Sequence, residues 1–260
     1  MQKRCVITNI KQPYEIKDGD WMKQHRILLI LPAYNEEGKI GRLVKKSKDS
    51  IVKDVFVACD GCIDKTAEEA AAAGAIVSSL PQRAGVGHAI RRGVDYALDN
   101  DYDVCVVMGG DDQDDPKEIP RLIEKLDSGY DFVIGSRYIP GGRTVNQNLF
   151  RFLSTKTYSL FFSIMTLHWI SDASNGFRAF LPQVAKRCDL WRKELDGYEL
   201  EPYLLFDMVK YFRYAEVPVT KYYHLNQSYS KMKPFVDWFN IIKPVMMKTL
   251  EDLGGKRPKR

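Results

Sequence analysis

The chain has 260 residues, 45% of them hydrophobic and 28% charged, with 18 Gly, 12 Pro and a formal net charge of +5. That composition excludes collagen, coiled coil and extended disorder, and the length suits one large domain or two small ones around a substantial core. The excess of 39 Lys and Arg over 34 Asp and Glu is too mild to point to nucleic acid, and part of it sits in the tail Lys256, Arg257, Lys259 and Arg260.

Residues 1–25 show no sustained period and lack the apolar h-region of a signal peptide, so they read as a lead-in to a cytoplasmic protein. The apolar run 26–31, bounded by Pro32, predicts a strand buried on both faces. An amphipathic helix over 36–49 follows, placing Ile40, Leu43 and Val44 on one side. Next come a strand at 55–58, an Ala/Glu-rich helix over 64–73 stopped by Gly74, a strand at 75–79, a helix over 87–98 and a strand at 104–108. A helix over 117–126 leads to a strand at 132–134 and then to the flexible Pro140-Gly141-Gly142. Strands alternating with helices of this length predict an α/β fold: a mostly parallel central sheet flanked by helices, Rossmann-like in outline. The stretch 149–170 is apolar, yet it carries Arg151, Lys156 and His168. A charge near a bilayer centre costs about 2.5–3.5 kcal/mol, so this segment is expected to be a core helix or one lying in a bilayer interface. Segments at 176–181, 198–211 and 214–220 complete a domain over 26–233, and a helical extension with a basic tail occupies 234–260.

In such sheets ligands bind beyond the carboxyl ends of the strands, and the polar motifs fall there. Tyr34-Asn35-Glu36 follows the first strand, Asp60-Gly61 the second, and Asp111-Asp112-Gln113 the fourth. The run Asp111-Asp112-Gln113-Asp114-Asp115 packs four carboxylates into five positions. A hard divalent cation, Mg²⁺ or Mn²⁺, taking oxygen ligands would relieve their repulsion, whereas Asp114 and Asp115 before Pro116 equally suit a helix cap. Asn35-Glu36-Glu37 is also an ordinary helix start, and Asp64 an ordinary cap. The turn 82–87 offers backbone amides near a helix start, suitable for phosphates. Cys59 and Cys62 form one C-x-x-C with no second pair to complete a zinc site, so reduced thiols are expected.

Seven segments in this order are similar to the family 2 glycosyltransferases with the GT-A fold, and among them to the polyprenyl-phosphate branch typified by the dolichol-phosphate mannose synthases. They are Pro32-Ala33-Tyr34-Asn35-Glu36-Glu37, Asp60-Gly61, Gly85-Val86-Gly87-His88-Ala89, Asp111-Asp112-Gln113, Val133-Ile134-Gly135-Ser136-Arg137-Tyr138, Ser174-Asn175-Gly176-Phe177-Arg178-Ala179-Phe180 and Ala215-Glu216-Val217-Pro218-Val219. The resemblance implies a metal-dependent inverting transferase that moves a hexose from a nucleotide sugar of the GDP-mannose or UDP-glucose type to a polyprenyl phosphate. It implies that Pro32, Tyr34, Glu36 and Asp60, with Arg83 nearby, hold the nucleotide, and that Asp111 and Gln113, with Asp112, hold Mg²⁺ or Mn²⁺ and the diphosphate. It further implies that Arg137, with Arg151 and Ser154 or Thr155, grips the acceptor phosphate, and that Lys231 closes over it from a basic loop. The chain departs from the family where paired aspartates become Cys59-Asp60 and where Asp-x-Asp becomes Gly109-Gly110-Asp111. A phosphate acceptor needs no general base; a hydroxyl acceptor would, with Asp172, Asp196, Glu199 and Glu201 as candidates. Arg178, between two aromatic residues on a strand, reads as a structural ion-pair partner.

Overall fold

The computed structural model describes residues 25–223 and 236–255, with only the backbone of Lys193 and of 236–240. In chain order the elements are β1 (Ile27–Ala33), α1 (Ile40–Lys48), β2 (Asp54–Cys59), α2 (Thr66–Ala72), β3 (Ile76–Ser79), α3 (Val86–Asp99), β4 (Val104–Val107), α4 (Ile119–Asp127), β5 (Phe132–Ser136) and β6 (Arg143–Val145). They continue with α5 (Leu149–Thr166), β7 (Arg178–Phe180), α6 (Pro182–Arg187), α7 (Leu200–Tyr211), β8 (Tyr214–Pro218), β9 (Thr220–Tyr222) and α8 (Val236–Leu253).

Seven strands form one sheet in the order β3-β2-β1-β4-β7-β5-β8. Only β7 runs antiparallel to its neighbours β4 and β5, so β1, β2, β4 and β5 end on the same edge. Alternation of side chains then builds two cores. Leu28, Ile30, Phe56 and Ala58 face α3 and α7, while Leu29, Leu31, Val55 and Val57 face α1 and α4. The mostly parallel sheet with helices on both faces matches the sequence reading.

Local chemistry refines the boundaries. The first helix begins at Ile40, later than expected, because 36–39 form a turn with Gly38 at a φ of +78°. The helix expected over 117–126 is split: Pro116 starts a 3₁₀ turn capped by Asp115, whose side chain accepts from the Lys117 amide, and α4 follows. Asp64 accepts from the Thr66 amide and hydroxyl and so caps α2. The stretch after Pro140-Gly141-Gly142 pairs as β6 with β9 in a small second sheet, which local pattern did not reveal.

Helix α5 turns its polar side inward. Thr155, Ser159, Ser163 and Thr166 are buried, and Ser159, Ser163 and Thr166 donate to carbonyls four residues back. Ser159 and Ser163 also accept the Ala173 and Ile170 amides, so burial leaves these hydroxyls satisfied. Outward, Leu149, Phe150, Leu153, Leu160, Ile164 and Leu167 are all more than half exposed. No described helix is long and apolar enough to cross a membrane. Helix α8 packs on α7 through the buried Lys248 and Asp207 pair at 2.7 Å, and its Glu251 pairs at 2.9 Å with Arg192 in the segment before α7.

Candidate functional site

The loops after β1, β2, β4 and β5 leave the same edge of the sheet. At the end of β2, Asp60 is buried and its carboxylate accepts the Ala84 amide at 2.6 Å and the Gly85 amide at 2.8 Å. Arg83, half exposed, lays its guanidinium 4.4 Å over the Tyr34 ring with Nε 4.0 Å from Asp60. Tyr34, Asp60 and Arg83, far apart in sequence, thus form one group, and Pro32 at the end of β1 accepts the Gly110 amide beneath it. Glu36 lies at the same edge, buried, 2.9 Å from the Lys39 ammonium. A cavity of about 270 Å³ lined by Arg83, Ala84, Gly85, Val86, Gly197 and Tyr198 shares Arg83 with this group.

Of the amides in the turn 82–87, those of Ala84, Gly85 and Gly87 already have partners in the protein, which narrows the expectation from the helix start. Asp60 takes those of Ala84 and Gly85, and the carbonyls of Gly197 and Asp196 take those of Gly87 and His88. Gly85, at a φ of +116°, permits this closure; a Cβ there would sit 2.3 Å from the Asp196 carbonyl oxygen.

After β4 the chain turns sharply, and a Cβ on Gly109 would lie 2.9 Å from Asp111 Oδ1. The loop is therefore built around one carboxylate, Asp111, whose Oδ1 accepts the Gln113 amide at 3.3 Å. Asp112 is half-buried in the left-handed region at φ +60°, and Gln113 is buried. Carboxylate and amide oxygens are a hard donor set that fits Mg²⁺ or Mn²⁺ completed by phosphates and water. No group of three His, Cys, Asp or Glu poised for a metal occurs among the described residues. Asp114 instead turns inward to Lys221 on β9, Nζ to Oδ2 2.8 Å. Burial pushes its carboxyl up against the pull of Lys221, and Oδ1 has no hydrogen-bond partner. Lys221 loses hydration too, yet Asp114 and Asp111 together raise its ammonium above the usual range. Cys59 is a buried free thiol that burial, reinforced by Cys62, pushes up to about 12, and the other described cysteines are free as well.

Beyond β5 the Arg137 guanidinium is buried against Asp172, with Nε to Oδ2 and Nη2 to Oδ1 both at 2.6 Å. Nη2 also donates to Ser174 at 2.7 Å and Nη1 to the Tyr223 hydroxyl at 2.5 Å. Desolvation opposes this charge, but the Asp172 hydrogen bonds and field outweigh it and hold the arginine firmly protonated. Glu216 fixes the partner loop by accepting from the Ser171 amide and hydroxyl and the Asp172 amide. Arg151, in the first turn of α5 behind its Asn148 cap, stacks 4.7 Å over the Tyr223 ring. Lys156 and Arg137 stand 4.2 Å and 5.2 Å from the Tyr138 ring. Three cations are thus interleaved with two tyrosines, with Asp172 as the carboxylate paired within the group. Thr155 is buried facing this side, whereas the Ser154 hydroxyl donates back to the Phe150 carbonyl. Lys231 lies outside the described residues.

Among the carboxylates considered as a base, Asp172 is committed to Arg137, Asp196 pairs with Arg91, and Glu201 lies 3.7 Å from Arg178. Arg178 also donates to the Asn175 and Ala173 carbonyls, in keeping with a structural role. Sequence reasoning missed Lys156, Lys221 and Tyr223; the contacts of Lys221 and Tyr223 reach across 107 and 86 residues, and no local pattern signals them.

The model of glycosyl transferase family 2 matches residues 28–188. Polyprenol monophosphomannose synthase of Mycolicibacterium smegmatis is 32% identical over 203 residues, 75% of this chain and 77% of that protein. Undecaprenyl-phosphate mannosyltransferase of Micrococcus luteus is 33% identical over 202 residues, 75% of this chain and 83% of that one. Among solved structures, Mycobacterium tuberculosis glucosyl-3-phosphoglycerate synthase in complex with Mn²⁺, UDP-glucose and phosphoglyceric acid superposes with a TM-score of 0.65 at 20% identity. The superposition covers 92% of this chain and 83% of that one and shows a shared fold.

Proposed function

The chain belongs to glycosyl transferase family 2 and is a glycosyltransferase of the GT-A fold, and on that premise we propose that it transfers a hexose, with inversion, from a nucleotide sugar to a polyprenyl phosphate. The observation that carries this reading is a coincidence of two surfaces at α5, one of them shared with Arg137 from beyond β5. The cluster of Arg137, Arg151 and Lys156 suits a phosphate, and the same helix exposes the apolar row of Leu149, Leu153, Leu160, Ile164 and Leu167. A headgroup of negative charge on an apolar tail matches both, and an apolar helix face of this kind lies in a membrane interface. The names of the mycobacterial and Micrococcus relatives support the same acceptor class and favour mannose as the sugar.

In the proposed mechanism Tyr34, with Arg83 stacked on its ring, stands beside the base, and Pro32, Glu36 and Asp60 shape the wall around base and ribose. Asp111 and Gln113, with Asp112, hold Mg²⁺ or Mn²⁺, which when bound neutralises charge on the departing nucleoside diphosphate. Arg137 and Arg151, with Thr155 or Ser154 and with Lys231, hold the acceptor phosphate. That phosphate has a second pKa near 6 and is already ionised at neutral pH, so its oxygen attacks the anomeric carbon without a general base. The protein's work is then to hold two mutually repelling anions in line, and cations fixed in place beforehand supply that.

The test supplies purified protein with undecaprenyl or dolichyl phosphate, Mn²⁺ and radiolabelled GDP-mannose or UDP-glucose. Label is expected in the organic phase with one of the donors. Label appearing solely in a water-soluble glycoside when hydroxyl acceptors are offered would replace this acceptor with a hydroxyl.

A further inference from the structure

We propose that Tyr223 is a positioning residue of the acceptor site, its hydroxyl and its ring together fixing two arginines from separate elements around one anion. The inference rests on the phosphate acceptor proposed above. Tyr223 is 8% exposed. Its hydroxyl accepts from Arg137 Nη1 at 2.5 Å, and its ring carries the Arg151 guanidinium at 4.7 Å. A tyrosine retained for packing has no need to put its polar tip on one buried cation and its π face under another. Of the five donors of Arg137, Asp172, Ser174 and Tyr223 engage four, and one Nη1 hydrogen beside the Tyr223 hydroxyl is left for a ligand among the described residues.

What holds Tyr223 is the loop expected to bind the diphosphate. Thr220, at the start of β9, donates its amide to Glu118, Lys221 pairs with the buried Asp114, and the Tyr222 amide bonds the Gln113 carbonyl at 2.9 Å. The Tyr223 amide then bonds the Val145 carbonyl of β6 at 2.9 Å. The strand β9 is thus riveted to residues 113–118 and delivers Tyr223 to the arginines. The separation between donor diphosphate and acceptor phosphate is set by this strap, and in-line displacement depends on that separation.

The test compares wild type with Tyr223→Phe, which keeps the ring and loses the hydroxyl, and Tyr223→Leu, which loses both. Steady-state assays use undecaprenyl phosphate in detergent micelles and the labelled donor that wild type accepts. The KM for lipid phosphate is expected to rise about 5–10-fold in the Phe variant and a further ~2–5-fold in the Leu variant. The KM for the nucleotide sugar should stay within about two-fold, because Tyr34, Asp60 and Arg83 are untouched. An unchanged lipid KM in both variants, or an equal rise for both substrates, overturns the inference while leaving the acceptor reading intact. If wild type puts no label into lipid, the acceptor reading has failed and the inference falls with it. Should the Leu variant not fold, the Phe variant alone decides.

Discussion

Replacing Asp172 by Asn removes one charge from a pair that is almost wholly buried, with side-chain exposures of 5% for Arg137 and 0% for Asp172. An amide of the same shape keeps one acceptor oxygen, but it turns an NH₂ toward a guanidinium that has only donors to offer. The arginine is left charged and desolvated, and breaking a buried pair in this way costs about 3–5 kcal/mol. At roughly 2–4 °C per kcal/mol for a domain of this size, the melting temperature should fall by about 6–20 °C. Urea titration should show the same loss as a lower midpoint with an unchanged slope. Removing both partners in Arg137→Met with Asp172→Leu should recover part of it, since no buried charge remains in the pair. The residue of the cost, about 1–3 kcal/mol, comes from the Arg137 amide, which donates to Asp172 Oδ2 at 3.0 Å and would lose its acceptor. Asp172→Asn within about 1 kcal/mol of wild type, or a double variant as unstable as the two singles summed, would refute the claim that the pair is a desolvated unit.

Gly85→Ala should destabilise the fold by more than ~2 kcal/mol in chemical denaturation, because a side chain at φ +116° is strained and its Cβ would strike the Asp196 carbonyl; a neutral result would show that the start of α3 can shift freely. Burial, opposed by Lys248, raises the Asp207 carboxyl from 3.8 to about 6. The folded state then holds that proton more tightly than the unfolded chain, so the contribution is full below about pH 4 and is lost as pH rises through about 6. Stability measured against Asp207→Asn should therefore fall by up to about 3 kcal/mol across that window, and the Asp207 carboxyl carbon should titrate near pH 6, moving higher in Lys248→Met. Leu153→Glu with Ile164→Glu, at positions more than half exposed, should leave the melting temperature unchanged within ~2 °C and abolish sedimentation with vesicles of anionic lipid; equal binding by the variant would show that this face of α5 is not the membrane contact.

The sequence by itself determined the parallel sheet, because apolar runs such as 27–31 and 104–107 are buried on both faces and alternate with amphipathic helices. It also placed the polar loops at strand ends, since connectivity alone puts Tyr34, Asp60 and Asp111 on one edge. Tertiary structure decided which of those groups remain available. Local spacing gives no sign that Asp60 closes over the amides of 84 and 85, that Asp114 leaves the acidic run for Lys221, or that Arg137 is held by Asp172 and Tyr223. It likewise settled the side of α5 that faces out, because its inner serines and threonines satisfy their hydroxyls within the helix and against the amides of 170 and 173. Secondary structure follows from periodicity over a few residues, whereas the partner of a buried charge is set by which distant segment the fold brings within hydrogen-bond reach.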